Sequence, residues 1–176
     1  TIDGRRVRQG LAFRGQGLNY NSVTGETQGR NRLTVEDVKY ITQTLGVRTD
    51  LDLRGKGETV DMTESPLGPG VRFVERSSPC YRSAFASSGM KTMAENVRVF
   101  CDRANYPIYF HCIGGADRTG TLAFTLLAVL DGFGKYGKKG DSLQLRAERY
   151  LLDCGITEEE IARLREILLE NCQNLH

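Results

Sequence analysis

The segment PIYFHCIGGADRTG, residues 107 to 120, constrains this chain more than any other. Its first six residues form a continuous apolar run of strand type. From Arg118 onward, RTGTLAFTLLAVLDG has the composition of a helix too apolar to lie on a surface. Only Ile113, Gly114, Gly115, Ala116 and Asp117 separate Cys112 from that helix. A buried strand must therefore pass into a buried helix through one short loop, with a cysteine at the strand's end. Such a unit belongs at the centre of an α/β domain.

The loop suits an anion held against a nucleophilic sulfur. A helix N-terminus presents unpaired amides and the positive end of the helix dipole. Gly114 and Gly115 allow a tight turn and close approach of a ligand. The amides from Ile113 through Ala116 and Asp117 to Arg118 can then converge on one point as an anion nest. Arg118 adds a planar, two-pronged donor matched to phosphate oxygens. The same positive surroundings favour the thiolate of Cys112.

Phosphoryl transfer fits this arrangement, because it depends on positioning and on stabilising charge. The thiolate attacks phosphorus, and water hydrolyses the resulting cysteinyl-phosphate. Thr119 can donate to the sulfur and help it leave. His111 is expected to orient the loop through hydrogen bonds rather than to act as a base. Neither a metal nor another cofactor is required. Two core residues followed by a plain turn would explain neither Arg118 nor Thr119 and Gly120.

HCIGGADRTG resembles the signature of the cysteine-dependent protein tyrosine phosphatase superfamily: His-Cys, five residues, Arg, Ser or Thr, then Gly. LAFRGQGLN, LTVEDVKYITQTLG and VRTDLDLRGKGE resemble, in that order, the N-terminal half of the bacterial dual-specificity-like tyrosine phosphatases. That family has a strand with Arg-Ser, a Leu-Thr-led helix, and an Asp-Leu-Arg strand followed by a glutamate. LQLRAERYLLDCGIT is similar to its helix leading to a Tyr-Leu-Leu segment. The resemblance implies one phosphatase domain over residues 1–176, with a three-layer α/β fold whose small central sheet is flanked by helices. It implies metal-independent hydrolysis of phosphotyrosine in proteins, with phosphoserine, phosphothreonine or a small phosphomonoester as further substrates. Sulfur-transfer proteins of the rhodanese kind also place a cysteine at a loop opening a helix, but they lack the Asp-Leu-Arg segment.

Tyrosine phosphatases commonly take the leaving-group proton from an aspartate on a mobile loop upstream of the cysteine. Here no aspartate lies between Asp61 and Asp102, and SSPCYRSAFASSG carries no acid. The narrower family offers the aspartate just before the signature arginine, which is Asp117. Asp52, in LDLR, is the second candidate. The acid must reach the leaving oxygen. The competing roles are structural: Asp117 could hold Arg118 or cap the helix, and Asp52 could pair with Arg54. Arg14 either adds positive charge near the site or is solvated. Tyr81, Arg82 and Phe85 lie on the loop expected to overhang the pocket. Ala116 stands where the bacterial family often has lysine, which weakens the alternative of a phosphoinositide or inositol-phosphate substrate. A non-catalytic phosphoprotein-binding module is a further alternative. The missing loop acid favours it, and the intact Cys112 and Arg118 oppose it.

Composition narrows the partners. With 24 basic and 22 acidic residues the net charge is +2, too balanced for nucleic acid as the main partner. The lysines of GKYGKKG follow a helix of about a dozen residues, roughly 18 Å from the loop, and read as a solvated surface. The longest apolar run, TLAFTLLAVL, is half of the roughly 20 residues a membrane span needs. Five cysteines without a CxxC pair argue against a disulfide framework or a zinc site. The first residue is Thr1, so a trimmed N-terminus is expected, on a soluble protein that is cytoplasmic or secreted.

The remaining elements follow from punctuation and period. VRQGLAFR, VRTDLDLR and VRFVER read as strands. LTVEDVKYITQTLG has Thr34 as N-cap and Gly46 at its end. MKTMAENVRVFCDR has helical spacing, and two C-terminal helices start at Asp141 and Thr157. YNSVTGETQGRNR, GKGETVDMTESPLGPG, SSPCYRSAFASSG and FGKYGKKG are expected to be loops.

Overall fold

The computed structural model describes residues 5–18, 32–59, 62–131 and 143–171. The chain begins with two short strands, β1 (Arg5–Val7) and β2 (Ala12–Gln16). Between them Gly10 turns at φ +77°, a left-handed backbone that favours glycine. The single strand expected from VRQGLAFR is thus broken in two.

Helix α1 (Val35–Lys39) starts where the sequence places it. The Thr34 hydroxyl accepts from the Asp37 amide at 3.1 Å, and Asp37 returns a bond to the Thr34 amide at 2.8 Å. The helix widens into a π-helical turn over Tyr40–Thr44, and Gly46 follows at φ +66°. Strand β3 (Thr49–Asp52) follows, then the single turn α2 (Lys56–Thr59) inside the stretch expected to be loop. Strand β4 (Arg72–Glu75) precedes a 3-10 turn at Tyr81–Phe85 and helix α3 (Ser87–Phe100). A second 3-10 turn, Arg103–Asn105, leads to β5 (Ile108–Cys112). Helices α4 (Asp117–Asp131), α5 (Leu143–Asp153) and α6 (Glu158–Leu168) follow, the last capped by Thr157. The final element, β6 (Leu169–Asn171), is not foreshadowed by the sequence. It pairs antiparallel with β1, setting Val7 opposite Leu169. The YNSVTGETQGRNR loop (save Arg32), the GKYGKKG loop, Asp141 and Cys172 lie outside the described residues.

The main sheet is parallel, with strand order β2-β5-β3-β4. Side chains alternate across it. Leu51, Ile108 and Phe110 face the larger core, with Met93, Phe100, Leu122, Leu151 and Leu164 from the helices α3 to α6. Phe13 and Tyr109 face a smaller cluster with Ile41, Leu45, Val47 and Val71. Helical layers therefore cover both faces. Ile108 and Leu51 are fully buried, and each such side chain contributes roughly 1.5–3 kcal/mol. Cys112 consequently ends a strand fixed by neighbours on both sides.

Candidate active site

Cys112 closes β5, and Asp117 opens α4 after a four-residue loop. Gly115 turns that loop at φ +68°. A methyl group there would sit 2.5 Å from the carbonyl oxygen of Gly15, so glycine is needed for both conformation and space. The amide of Gly17 donates to the Ile113 carbonyl at 3.0 Å, and Arg14 donates to the Gly115 carbonyl through Nε at 3.2 Å and Nη2 at 3.0 Å. The end of β2 thus braces the loop. Arg14 takes part as a brace as well as a charge, a use the sequence did not suggest.

The Cys112 thiol is buried, which by itself disfavours ionisation. Hydrogen bonds from the Thr119 hydroxyl and amide and from the Gly115 amide, with the Arg118 charge, outweigh that burial and lower its pKa. The Thr119 hydroxyl is fully buried, and no other group among the described residues takes it as a hydrogen-bond partner by distance and angle. That leaves it for the sulfur. Burial pushes Cys101 and Cys154 up to about 11, so neither competes as a thiolate. Cys80, Cys101, Cys112 and Cys154 all carry free thiols.

Arg118 is oriented by a residue the sequence did not single out. Glu58, on α2, accepts from Nη1 at 2.5 Å and from Nη2 at 2.7 Å. The Leu53 carbonyl adds a longer contact at 3.4 Å. The guanidinium is thereby fixed edge-on. The arginine's own hydrogen bonds in turn lower the Glu58 pKa against the cost of its partial burial. The only sequence signal for Glu58 was a glutamate following Asp-Leu-Arg.

His111 is buried behind the loop. Its Nε2 lies 2.8 Å from Asp50 Oδ1, and its Nδ1 lies 3.3 Å from the Cys112 carbonyl oxygen. Both partners are acceptors, which suits a ring protonated on both nitrogens. Burial opposes the imidazolium, but the Asp50 hydrogen bond and charge, with the charge of Asp52, hold its pKa above the usual value. The second oxygen of Asp50 accepts from Ser65 Oγ at 2.6 Å.

The two candidate acids separate. Asp52 is fully buried, and both its oxygens accept from Arg54, Oδ1 from Nε at 2.9 Å and Oδ2 from Nη2 at 2.5 Å. The structure thus finds Asp52 in the pair with Arg54 that was weighed against a catalytic role, and buried away from solvent. Asp117 is exposed at the loop's rim and accepts a hydrogen bond from the Tyr81 hydroxyl. It holds neither of the roles weighed against catalysis in its side-chain contacts: Arg118 goes to Glu58 instead.

Beside the loop lies a cavity of about 530 Å³. Ala116, Asp117 and Gly120 form its edge nearest Cys112, and Tyr81, Phe85 and Phe124 line its walls. Among the described residues, no lysine or arginine lines it.

A family model described as "Tyrosine phosphatase family" matches residues 1–132 of the 176. No curated protein matches in sequence. Among solved structures, the chain is similar to the core catalytic domain of the PP-IP phosphatase SIW14 from S. cerevisiae, crystallised with citrate. That match has 15% identity and a TM-score of 0.41, over 76% of this chain and 75% of that one.

Proposed function

Starting from the fact that this chain belongs to the tyrosine phosphatase family, we propose that it hydrolyses phosphotyrosine in proteins through a cysteinyl-phosphate intermediate. The observation that carries the chemistry is the pairing of Cys112, at the strand end with its pKa lowered by neighbouring donors, with an arginine clamped for bidentate binding at Arg118.

The substrate phosphate sits in the loop, held by the amides of residues 113–118 and by the Arg118 guanidinium. The Cys112 sulfur attacks phosphorus in line with the ester oxygen. The S–P bond forms as the P–O bond breaks, and the leaving oxygen takes a proton from the Asp117 carboxyl. A water molecule then attacks phosphorus and gives its proton to the Asp117 carboxylate. The S–P bond breaks, and the Thr119 hydroxyl stabilises the departing thiolate. His111 and Asp50 hold the strand end beneath the sulfur. The loop amides and Arg118 oppose charge on the equatorial oxygens, and losing one such donor costs about 3 kcal/mol.

Phosphotyrosine is favoured by the surroundings of the loop. Tyr81, Phe85 and Phe124 offer an apolar wall at the rim, and among the described residues the cavity lining carries no cation to receive further phosphates. Ala116 likewise brings no charge to the loop. Phosphoserine and phosphothreonine would use the same chemistry with less apolar contact. The test is turnover of a panel containing a phosphotyrosine peptide, its phosphoserine and phosphothreonine counterparts, and inositol phosphates. The phosphotyrosine peptide is expected to have the highest kcat/KM. A preference for inositol phosphates would replace the substrate assignment and leave the thiolate chemistry intact. Binding of every substrate without phosphate release would make the protein a phosphoprotein-binding module.

A further inference from the structure

We infer that Tyr81 positions the Asp117 carboxyl for proton transfer. The inference rests on Asp117 being the acid of the reaction proposed above, and it names what holds that acid in place.

Three independent features converge on this pair. The first is backbone conformation. Tyr81 has φ +49°, in the left-handed region that residues with a side chain rarely occupy. It is the only non-glycine residue with positive φ among the described residues. Such a conformation costs free energy and persists only where the surroundings enforce it. The second is the backbone amide of Tyr81, which donates to Thr121 Oγ1 at 3.3 Å. That same hydroxyl donates to the Asp117 carbonyl at 2.8 Å. The strained residue is thereby tied to the first turn of α4. The third is the Tyr81 hydroxyl itself, which donates to Asp117 Oδ1. Tyr81 is 65% exposed, so apolar burial does not explain its placement.

The rest of the turn is built to hold this position. Cys80 and Ser83 close it, with the Cys80 amide donating to Ser83 Oγ at 3.0 Å and Ser83 Oγ donating to the Cys80 carbonyl at 2.6 Å. Tyr150 anchors its far end by donating to the Ala84 carbonyl at 2.9 Å. The turn carries no carboxylate. It supplies a phenol that grips the carboxylate standing on the loop.

The chemical consequence follows from having two carboxyl oxygens. Tyr81 occupies Oδ1 and leaves Oδ2 as the oxygen that carries the transferable proton. As the ester P–O bond breaks, the proton passes from Oδ2 to the leaving oxygen. The Tyr81 O–H stays on Oδ1 and stabilises the carboxylate that forms. In the second half, Oδ2 takes the proton from the attacking water. The Tyr81 proton is never transferred. The neighbouring Asp117 carboxylate, by hydrogen bond and by charge, raises the phenol's pKa, which keeps it a donor throughout.

The test is kcat/KM over a series of aryl phosphates with increasingly poor leaving groups, for Asp117→Asn, Tyr81→Phe and the double variant. Asp117→Asn is expected to slow the poorest leaving groups about 100-fold more than activated ones. Tyr81→Phe is expected to slow the poorest about tenfold and the activated ones little, with unchanged Tm, and to add nothing in the Asp117→Asn background. If Asp117→Asn shows the leaving-group effect while Tyr81→Phe slows all esters equally, leaves all rates unchanged, or multiplies with Asp117→Asn, Tyr81 has no positioning role and Asp117 remains the acid. If Asp117→Asn slows all esters equally, Asp117 is not the acid, and the role of Tyr81 falls with it.

Discussion

Glu58 and Arg118, 60 residues apart in sequence, meet through two parallel hydrogen bonds of 2.5 and 2.7 Å. The clamp ties α2 to the first turn of α4, beside the loop that follows Cys112. It therefore joins the segment after β3 to the end of β5, where the proposed chemistry takes place.

Glu58 is partly exposed, with 34% of its side chain open to solvent, and exposed ion pairs contribute about 0–1 kcal/mol to stability. Its larger effect is on geometry, where misplacement of a binding group by an ångström costs about 100-fold in rate. Glu58→Gln should thus lower kcat/KM about 100-fold while shifting Tm little. The pH dependence has a definite sign. The Arg118 hydrogen bonds lower the Glu58 pKa, so the clamp is intact above the ordinary glutamate value of about 4.3 and opens only as pH falls below it. Vanadate affinity measured from pH 7 down to 5 should show no break attributable to this group. A large loss of stability in Glu58→Gln with unchanged kcat/KM would make the contact structural.

The thiolate at Cys112 is stabilised chiefly through Thr119, against the penalty of burial. The rate of its alkylation by iodoacetamide, followed on the Cys112 peptide by mass spectrometry, should titrate below the free-thiol value of about 8.5. Cys101 and Cys154, held up at about 11, should stay unmodified at neutral pH. Thr119→Val should move the Cys112 titration to higher pH and slow hydrolysis of the intermediate. An unshifted titration in Thr119→Val would remove the hydroxyl from this role.

His111 and Asp50 form a buried hydrogen-bonded pair on adjacent strands, and removing one partner of such a pair when it is charged costs about 3 kcal/mol. Asp50→Asn should lower stability to urea by that order. The raised pKa of His111 means its contribution is complete below the ordinary histidine value of about 6.5 and is lost as pH rises through the higher folded value. Wild-type stability should therefore decline on the alkaline side, and Asp50→Asn should flatten that decline. An identical slope in both proteins would show that the pair is not charged.

The legible parts of this molecule are those specified by neighbours in sequence. The caps at Thr34 and Thr157, the strand ending at Cys112 and the helix expected from Arg118, which opens one residue earlier at Asp117, all follow from local pattern. What escaped notice is set by contacts between distant residues. β6 becomes a strand because Leu169 meets Val7. The start of α3 reads as loop because Ser87, Ser88 and Gly89 offer no apolar period. Gly89 is needed there because the Ser83 carbonyl packs where a side chain would be. Asp52 and Asp50 look alike in TDLD, and only their partners distinguish the mate of Arg54 from the mate of His111. Likewise, no local pattern shows that the acid-free loop would send Tyr81 to Asp117.

Formation of a cysteinyl-phosphate on Cys112 is the step on which all the proposed chemistry depends. It can be observed directly by acid-quenching the enzyme during turnover of a phosphotyrosine peptide and mapping the phosphate by mass spectrometry. Phosphate on the Cys112 peptide of the wild type, with neither adduct nor phosphate release in Cys112→Ser, is the expected result. Phosphate release by Cys112→Ser at close to the wild-type rate would contradict it.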